Sequence, residues 1–142
     1  MSTLHLKSKT LLLVDDDEGI LDFLMFLFKN IGYDVATCRD VRSAMKWLEK
    51  NTANLVLLDI MMPDTHGLEL CKWMRTKNNK TPVIIMTALD DEETANDAMA
   101  VGAVDFIKKP FNINELKMKV NTHLDEDRAV QVQEEKSEDK SE

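Results

Sequence analysis

The chain has 142 residues with 44% apolar content, enough for one domain around a single core with a short tail. Its 26 acidic residues outnumber the 18 basic ones, for a net charge of -8, which argues against a direct grip on a nucleic-acid backbone. No apolar run is long enough for a signal-peptide core or a membrane span, so a cytoplasmic protein without membrane attachment is expected. Cys38 and Cys71 are far apart with no metal-type spacing and read as small reduced core residues.

The first strand is expected at Thr10 to Val14, where Leu11-Leu12-Leu13-Val14 is apolar without alternation, as in a strand covered on both faces. It runs into Asp15-Asp16-Asp17-Glu18. Gathered carboxylates repel one another and call for a compensating cation. Asp17 and Glu18 suit the first turn of the next helix, where the macrodipole favours negative charge, which leaves Asp15 and Asp16 for chemistry. From Glu18 to Ile31, Ile20, Phe23, Leu24, Leu27, Phe28 and Ile31 recur at helical spacing, and Gly32 is expected as the C-cap. Leu21, Met25 and Phe26 fall partly outside that stripe, so that either the helix is buried more widely than usual or it presents a partner-docking surface.

A short strand at Tyr33 to Cys38 precedes a helix at Val41 to Lys50, with Ala44, Met45, Trp47 and Leu48 inward. The third strand, Leu55-Val56-Leu57-Leu58-Asp59, is again unbroken and ends on a carboxylate; Pro63 soon after cannot donate to a ladder. In the loop Asp64-Thr65-His66-Gly67, Gly67 is expected in a positive-φ turn, and His66, with no companion ligands, is expected to be solvated. A helix follows from Leu68 to about Lys77, with Leu70, Cys71, Trp73 and Met74 apolar. The fourth strand, Val83 to Ala88, carries Thr87 near its end. Asp90 to Glu93 begin a helix reaching Val101, closed by Gly102. The fifth strand, Asp105 to Lys108, leads to Lys109-Pro110, and proline holds the preceding lysine extended. Asn112 and Glu115 have capping-box spacing before a last helix lined by Ile113, Leu116, Val120 and Leu124. Residues 125–142 carry -5 of the total charge and are expected to be a frayed helix end, tail or linker.

Five βα units predict an α/β fold, a parallel sheet with helices on both faces and right-handed crossovers. In such sheets the working crevice lies outside the carboxyl ends of the strands. Asp15, Asp16, Asp59, Thr87 and Lys109 all fall at those ends. Three carboxylates, a hydroxyl and an ammonium suit a hard divalent cation and a phosphoryl group. An ionised Asp59 could attack phosphorus to form an acyl phosphate, while Thr87 and Lys109 donate to the phosphoryl oxygens.

Taken together, Leu13-Val14-Asp15-Asp16, Leu57-Leu58-Asp59-Ile60-Met61-Met62-Pro63 with Gly67, Met86-Thr87-Ala88, and Phe106-Ile107-Lys108-Lys109-Pro110-Phe111 closely resemble the receiver domain of two-component response regulators. The resemblance covers about residues 9 to 124, leaving an arm at 1–8 and the extension at 125–142. It implies a flavodoxin-like (βα)5 fold with strand order 2-1-3-4-5. It also implies that Asp59 accepts a phosphoryl group from a sensor histidine kinase or histidine phosphotransfer protein, making the chain a signalling module that catalyses only its own phosphorylation and dephosphorylation. By the same resemblance Mg2+, or Mn2+ in its place, is held by Asp16, Asp59 and the Met61 carbonyl, with Asp15 acting through water. Thr87 senses the phosphoryl group and Phe106 stands in the place of the switch aromatic. The output is expected through the fourth helix, fifth strand and fifth helix, to an effector protein, an output domain or a phosphorylation-dependent homodimer; with no output domain legible in residues 125–142, either a stand-alone receiver or a fragment cut in a linker before an output domain is expected. Leu21 and Met25 resemble in placement a patch where receivers meet a phosphotransfer bundle.

Met61 and Leu89, two residues beyond Asp59 and Thr87, are apolar and unable to orient a water, so slow loss of the phosphoryl group is expected. A rival is a haloacid-dehalogenase-like Mg2+ phosphatase using Asp15 and Asp17 as Asp-x-Asp. That family needs an acidic strand end after its lysine, which the sequence lacks, and the rival leaves Asp59 unexplained.

Overall fold

The computed structural model describes residues 9–62, 66–88 and 92–124, and the chain divides into two compact units, Met1–Pro110 and Phe111–Glu142. The expected arm at 1–8, the loop residues Pro63, Asp64 and Thr65, the residues Leu89, Asp90 and Asp91, and the extension at 125–142 lie outside the described residues.

The first unit contains β1 (Thr10–Val14), α1 (Glu18–Ile31), β2 (Asp34–Cys38), α2 (Val41–Lys50), β3 (Leu55–Asp59), α3 (Leu68–Thr76), β4 (Val83–Thr87), α4 (Glu92–Ala100) and β5 (Asp105–Lys108). The strands pair in parallel as one sheet of order β2-β1-β3-β4-β5. This is the flavodoxin-like arrangement expected, with α5 following over 113–124 in the second unit. Every residue of β3 and β4 is buried, as their unbroken apolar runs require, whereas the edge strand β2 admits Asp34 and Thr37 and is half-buried along most of its length.

Alternation along the strands divides the core in two. Leu12, Val14, Val56, Leu58, Val83 and Ile85 pack with Val41, Ala44 and Leu48 of α2, Leu70 and Met74 of α3, and Ala98 of α4. Leu11, Leu13, Leu55, Leu57, Ile84 and Met86, equally buried, point to the opposite face, on the side where α1 approaches β1 and β2. Each fully buried leucine of these strands contributes about 1.5–3 kcal/mol, so the strand ends stand on a stiff base.

Capping fixes where the helices begin. Asp17 accepts from the Ile20 amide and Asp40 from the Ser43 amide, and Gly32 ends α1 at φ 117, as expected. Asn112 accepts from the Glu115 amide at 3.0 Å, while the Glu115 carboxylate lies 3.6 Å from Lys119 Nζ.

Several expectations need correction. The inward residues of α1 are Leu21, Leu24 and Phe28, with Phe23 and Ile31 exposed. In a helix apolar nearly all round, spacing does not fix the rotation. Leu21, at 3% exposure, therefore packs in the core, and Met25 is half-buried. Phe26, 71% exposed, is the most outward apolar residue of α1. Ile113 is likewise exposed, whereas Leu116, Val120 and Leu124 share one face of α5 by their spacing. Gly67 has φ -59, so no positive-φ turn calls for it.

Candidate functional site

The sheet register brings the polar strand ends to one edge. Val14 pairs with Leu58, Leu58 with Ile85 and Ile85 with Phe106. Asp15 and Asp59 are the residues immediately past that row, Thr87 lies two past it and Lys109 three. Strand order also reverses between β1 and β3, and it is at such a point that a crevice opens in an open α/β sheet. Further ties hold the rim: the Asp15 amide donates to the Cys38 carbonyl at 3.1 Å, and the Lys109 amide to the Thr87 carbonyl at 2.7 Å.

Asp15 is fully buried and Asp59 is 4% exposed, yet each carboxylate has both oxygens engaged. Asp15 Oδ1 accepts from the Asp17 amide at 2.9 Å and Oδ2 from Lys109 Nζ at 2.7 Å. Asp59 Oδ1 accepts from the Met61 amide at 3.0 Å and Oδ2 from Lys109 Nζ at 3.3 Å. One ammonium thus bridges two buried carboxylates. Asp16, half-buried, completes a set in which one oxygen from each of Asp15, Asp16 and Asp59 lies within 4.8 Å of the others. Clustered hard oxygen donors of this kind fit a divalent cation such as Mg2+ or Mn2+.

The electrostatics agree with the geometry. Burial, helped by the neighbouring charge of Asp15, pushes the Asp59 carboxyl up, against the Met61 amide and Lys109, which hold it down. Burial opposes the charge on Lys109, but its bonds and charge attraction to Asp15 and Asp59 outweigh that and raise the ammonium above its ordinary range.

The other expected residues fall as follows. Thr87 is fully buried at the end of β4. Phe106 is half-buried against the core shared by α2, α3 and α4. Met61 gives its amide to Asp59, and its side chain is 52% exposed. Asp17, which the phosphatase reading needs in the crevice, is exposed and caps α1. His66 is exposed, with Nδ1 accepting from the Leu68 amide at 3.3 Å. Both cysteines are free and buried; burial, with Asp40 nearby, pushes the Cys38 thiol up to about 11. Among the described residues no helix is long and apolar enough to cross a membrane.

The amide clamps from Asp17 and Met61 carry no side-chain signature, and the sequence reading missed them. Their only trace is position: each lies two residues beyond the carboxylate it holds.

Comparison with known proteins adds independent findings. A family model described as the response regulator receiver domain matches residues 11–121. The alkaline phosphatase synthesis transcriptional regulatory protein PhoP of Bacillus subtilis (strain 168) is 35% identical over 117 residues, covering 82% of this chain and 49% of PhoP. The chain therefore spans about half the length of that relative. A Francisella response regulator receiver domain has a TM-score of 0.78 at 34% identity, with 82% of this chain and 97% of that one covered. A CheY-like receiver domain protein from Methanospirillum hungatei JF-1 has a TM-score of 0.82 at 30% identity, covering 87% and 98%.

Proposed function

Since the chain belongs to the response regulator receiver domain family, a family of two-component signalling modules, we propose that Asp59 is its phosphoacceptor. The observation that carries this reading is the Lys109 ammonium set between the two buried carboxylates, 2.7 Å from Asp15 and 3.3 Å from Asp59. An Asp59 oxygen attacks the phosphorus of a phosphohistidine or small acyl phosphate; an O–P bond forms, and the bond to the donor breaks with its electron pair leaving on the donor. Lys109 turns from Asp59 to the phosphoryl oxygens, and the Thr87 hydroxyl, two residues past the paired row, donates to another. Met61 holds the non-attacking oxygen through its amide and so fixes the rotation of the nucleophile.

Asp16 and Asp59, with the Met61 carbonyl, are the groups assigned to Mg2+, and Asp15 is assigned a place beside it through water. When bound, the ion supplies positive charge that offsets the carboxylates and the incoming phosphoryl oxygens. We assign residues 9–124 as the receiver, 1–8 as an arm and 125–142 as an acidic extension, in keeping with the family match over 11–121. The partners are a histidine kinase or phosphotransfer protein upstream and an effector or output domain downstream, and the compartment is the cytoplasm.

The test is phosphorylation by acetyl phosphate, read by intact mass. Wild type should gain one phosphoryl group in Mg2+ and none in EDTA, and Asp59→Asn should gain none in either. Equal labelling of Asp59→Asn would overturn the assignment.

A further inference from the structure

Gly67 is the N-cap of α3 and is buried. At the same position α1 and α2 carry Asp17 and Asp40, whose side chains bond the helix amides, as N-caps ordinarily do. Gly67 makes no such bond, and its φ -59 and ψ -29 are open to any residue. Neither capping nor backbone freedom explains a glycine here. Space does: a Cβ on Gly67 would stand 2.6 Å from the Asp59 carbonyl oxygen, 2.6 Å from Ile60 Cα and 3.2 Å from Ile60 Cγ2. The Gly67 amide also donates to the Ile60 carbonyl at 3.1 Å. The first turn of α3 is thus seated on the main chain that carries Asp59.

We infer that Gly67 is a positioning residue for phosphoryl transfer, its missing side chain letting α3 close on the Asp59–Ile60 peptide and set where the Asp59 carboxylate stands relative to Lys109. The inference rests on Asp59 being the phosphoacceptor. On its N-terminal side Asp59 is held by the ladder of β3, where it pairs with Met86. Beyond Asp59 the strand ends, and the seat on Gly67 constrains the chain from that side. Two of the contacts are with main-chain atoms, which cannot rotate away as a flexible side chain could. To bring 2.6 Å out to the ordinary 3.4 Å, alanine would have to move one segment by about 0.8 Å. Errors near 1 Å in a reacting group can cost ~10²-fold in rate, and a fall of about 10-fold or more is expected here.

Gly32 supplies the control. Its φ of 117 disfavours alanine, while a Cβ there meets nothing within 4 Å, so Gly32→Ala should weaken the fold without touching the site. Initial rates with acetyl phosphate in Mg2+ should show Gly67→Ala about 10-fold or more slower at saturation with a little-changed half-saturation concentration. Its Mg2+ titration, followed by amide NMR, should be weakened as well. Gly32→Ala should melt lower yet match wild type in both. Gly67→Ala reacting and binding Mg2+ like Gly32→Ala would overturn the inference while leaving Asp59 in its role. A wild type that takes no phosphoryl group would instead remove the functional reading beneath it. If Gly67→Ala fails to fold, amide exchange in the wild type decides: protection of Gly67 and Met61 comparable to β3 is expected, and exchange at open-loop rates would overturn the inference.

Discussion

Replacing Lys109 by glutamine keeps a long polar side chain and deletes the charge between Asp15 and Asp59. At an effective dielectric constant of about 20, charges 2.7 Å and 3.3 Å apart attract by about 6 and 5 kcal/mol, about 11 together. Three carboxylates with oxygens within 4.8 Å of one another repel by at least about 3.5 kcal/mol per pair, at least about 10 in all. The two gross quantities are of the same order, so without a divalent cation the ammonium offsets much of the repulsion within the acidic cluster. The cluster relaxes when the lysine is lost, because Asp59 takes up a proton or Asp16 turns to water, so the measurable cost is about 3–5 kcal/mol. Urea unfolding in EDTA at pH 7, followed by tryptophan fluorescence, should give that difference. It should shrink as the pH falls, since the Asp59 carboxyl is already raised and loses its counter-charge in the variant. Millimolar Mg2+ should return more stability to Lys109→Gln than to wild type. A loss under about 1 kcal/mol in EDTA, or one indifferent to both pH and Mg2+, would refute the compensation argument.

Asp59→Asn should be more stable than wild type at pH 7 without Mg2+. A carboxyl with a raised value binds its proton more tightly in the fold than in the unfolded chain, so its ionisation costs stability as pH climbs from the ordinary range near 3.8 through the raised value. The gain, read as a higher Tm, should close as pH falls toward that ordinary range; a gain unchanged by pH would point elsewhere. With the exposed, apolar Met61 two residues past Asp59, the acyl phosphate should persist for minutes or longer, and Met61→Asn should shorten its lifetime by about 10-fold, less than the 10²–10⁴-fold of a full general base. A wild-type half-life of seconds by intact mass would contradict this. Arg75 donates to the carbonyls of Asn79, Thr81 and Gly102 at 2.7, 3.0 and 2.6 Å, at the end of the sheet remote from Asp59. Arg75→Ala should lose about 2–3 kcal/mol in urea melts while its phosphorylation rate stays that of wild type. Cys38, with its thiol pushed up to about 11, should react with iodoacetamide at pH 8 about 10²-fold more slowly in the folded protein than in urea.

The element order was legible because each central strand is an unbroken apolar run closed by a polar residue. Asp15, Asp59 and Thr87 were legible for the same reason, since a parallel sheet sends every strand end of one sense to one edge. The rotation of α1 was not, because almost any face of Ile20 to Ile31 could have been the buried one, and packing selected Leu21, Leu24 and Phe28. Gly67 was noticed for the wrong reason: glycine signals either positive φ or close approach, and only a neighbouring chain can say which.

The sequence by itself determined which groups stand at the rim, because hydrophobic periodicity fixes the strands, and the residues at or just past each strand's end then lie there. The strand order was carried over from the family resemblance and confirmed by the pairing, while tertiary structure decided how the rim groups bind one another. That one lysine serves two carboxylates, that backbone amides of Asp17 and Met61 hold the remaining oxygens, and that α3 rests on the Asp59 peptide are all contacts between segments remote along the chain or through main-chain atoms common to every residue. Side-chain identity does not encode them; distances set by the folded sheet do.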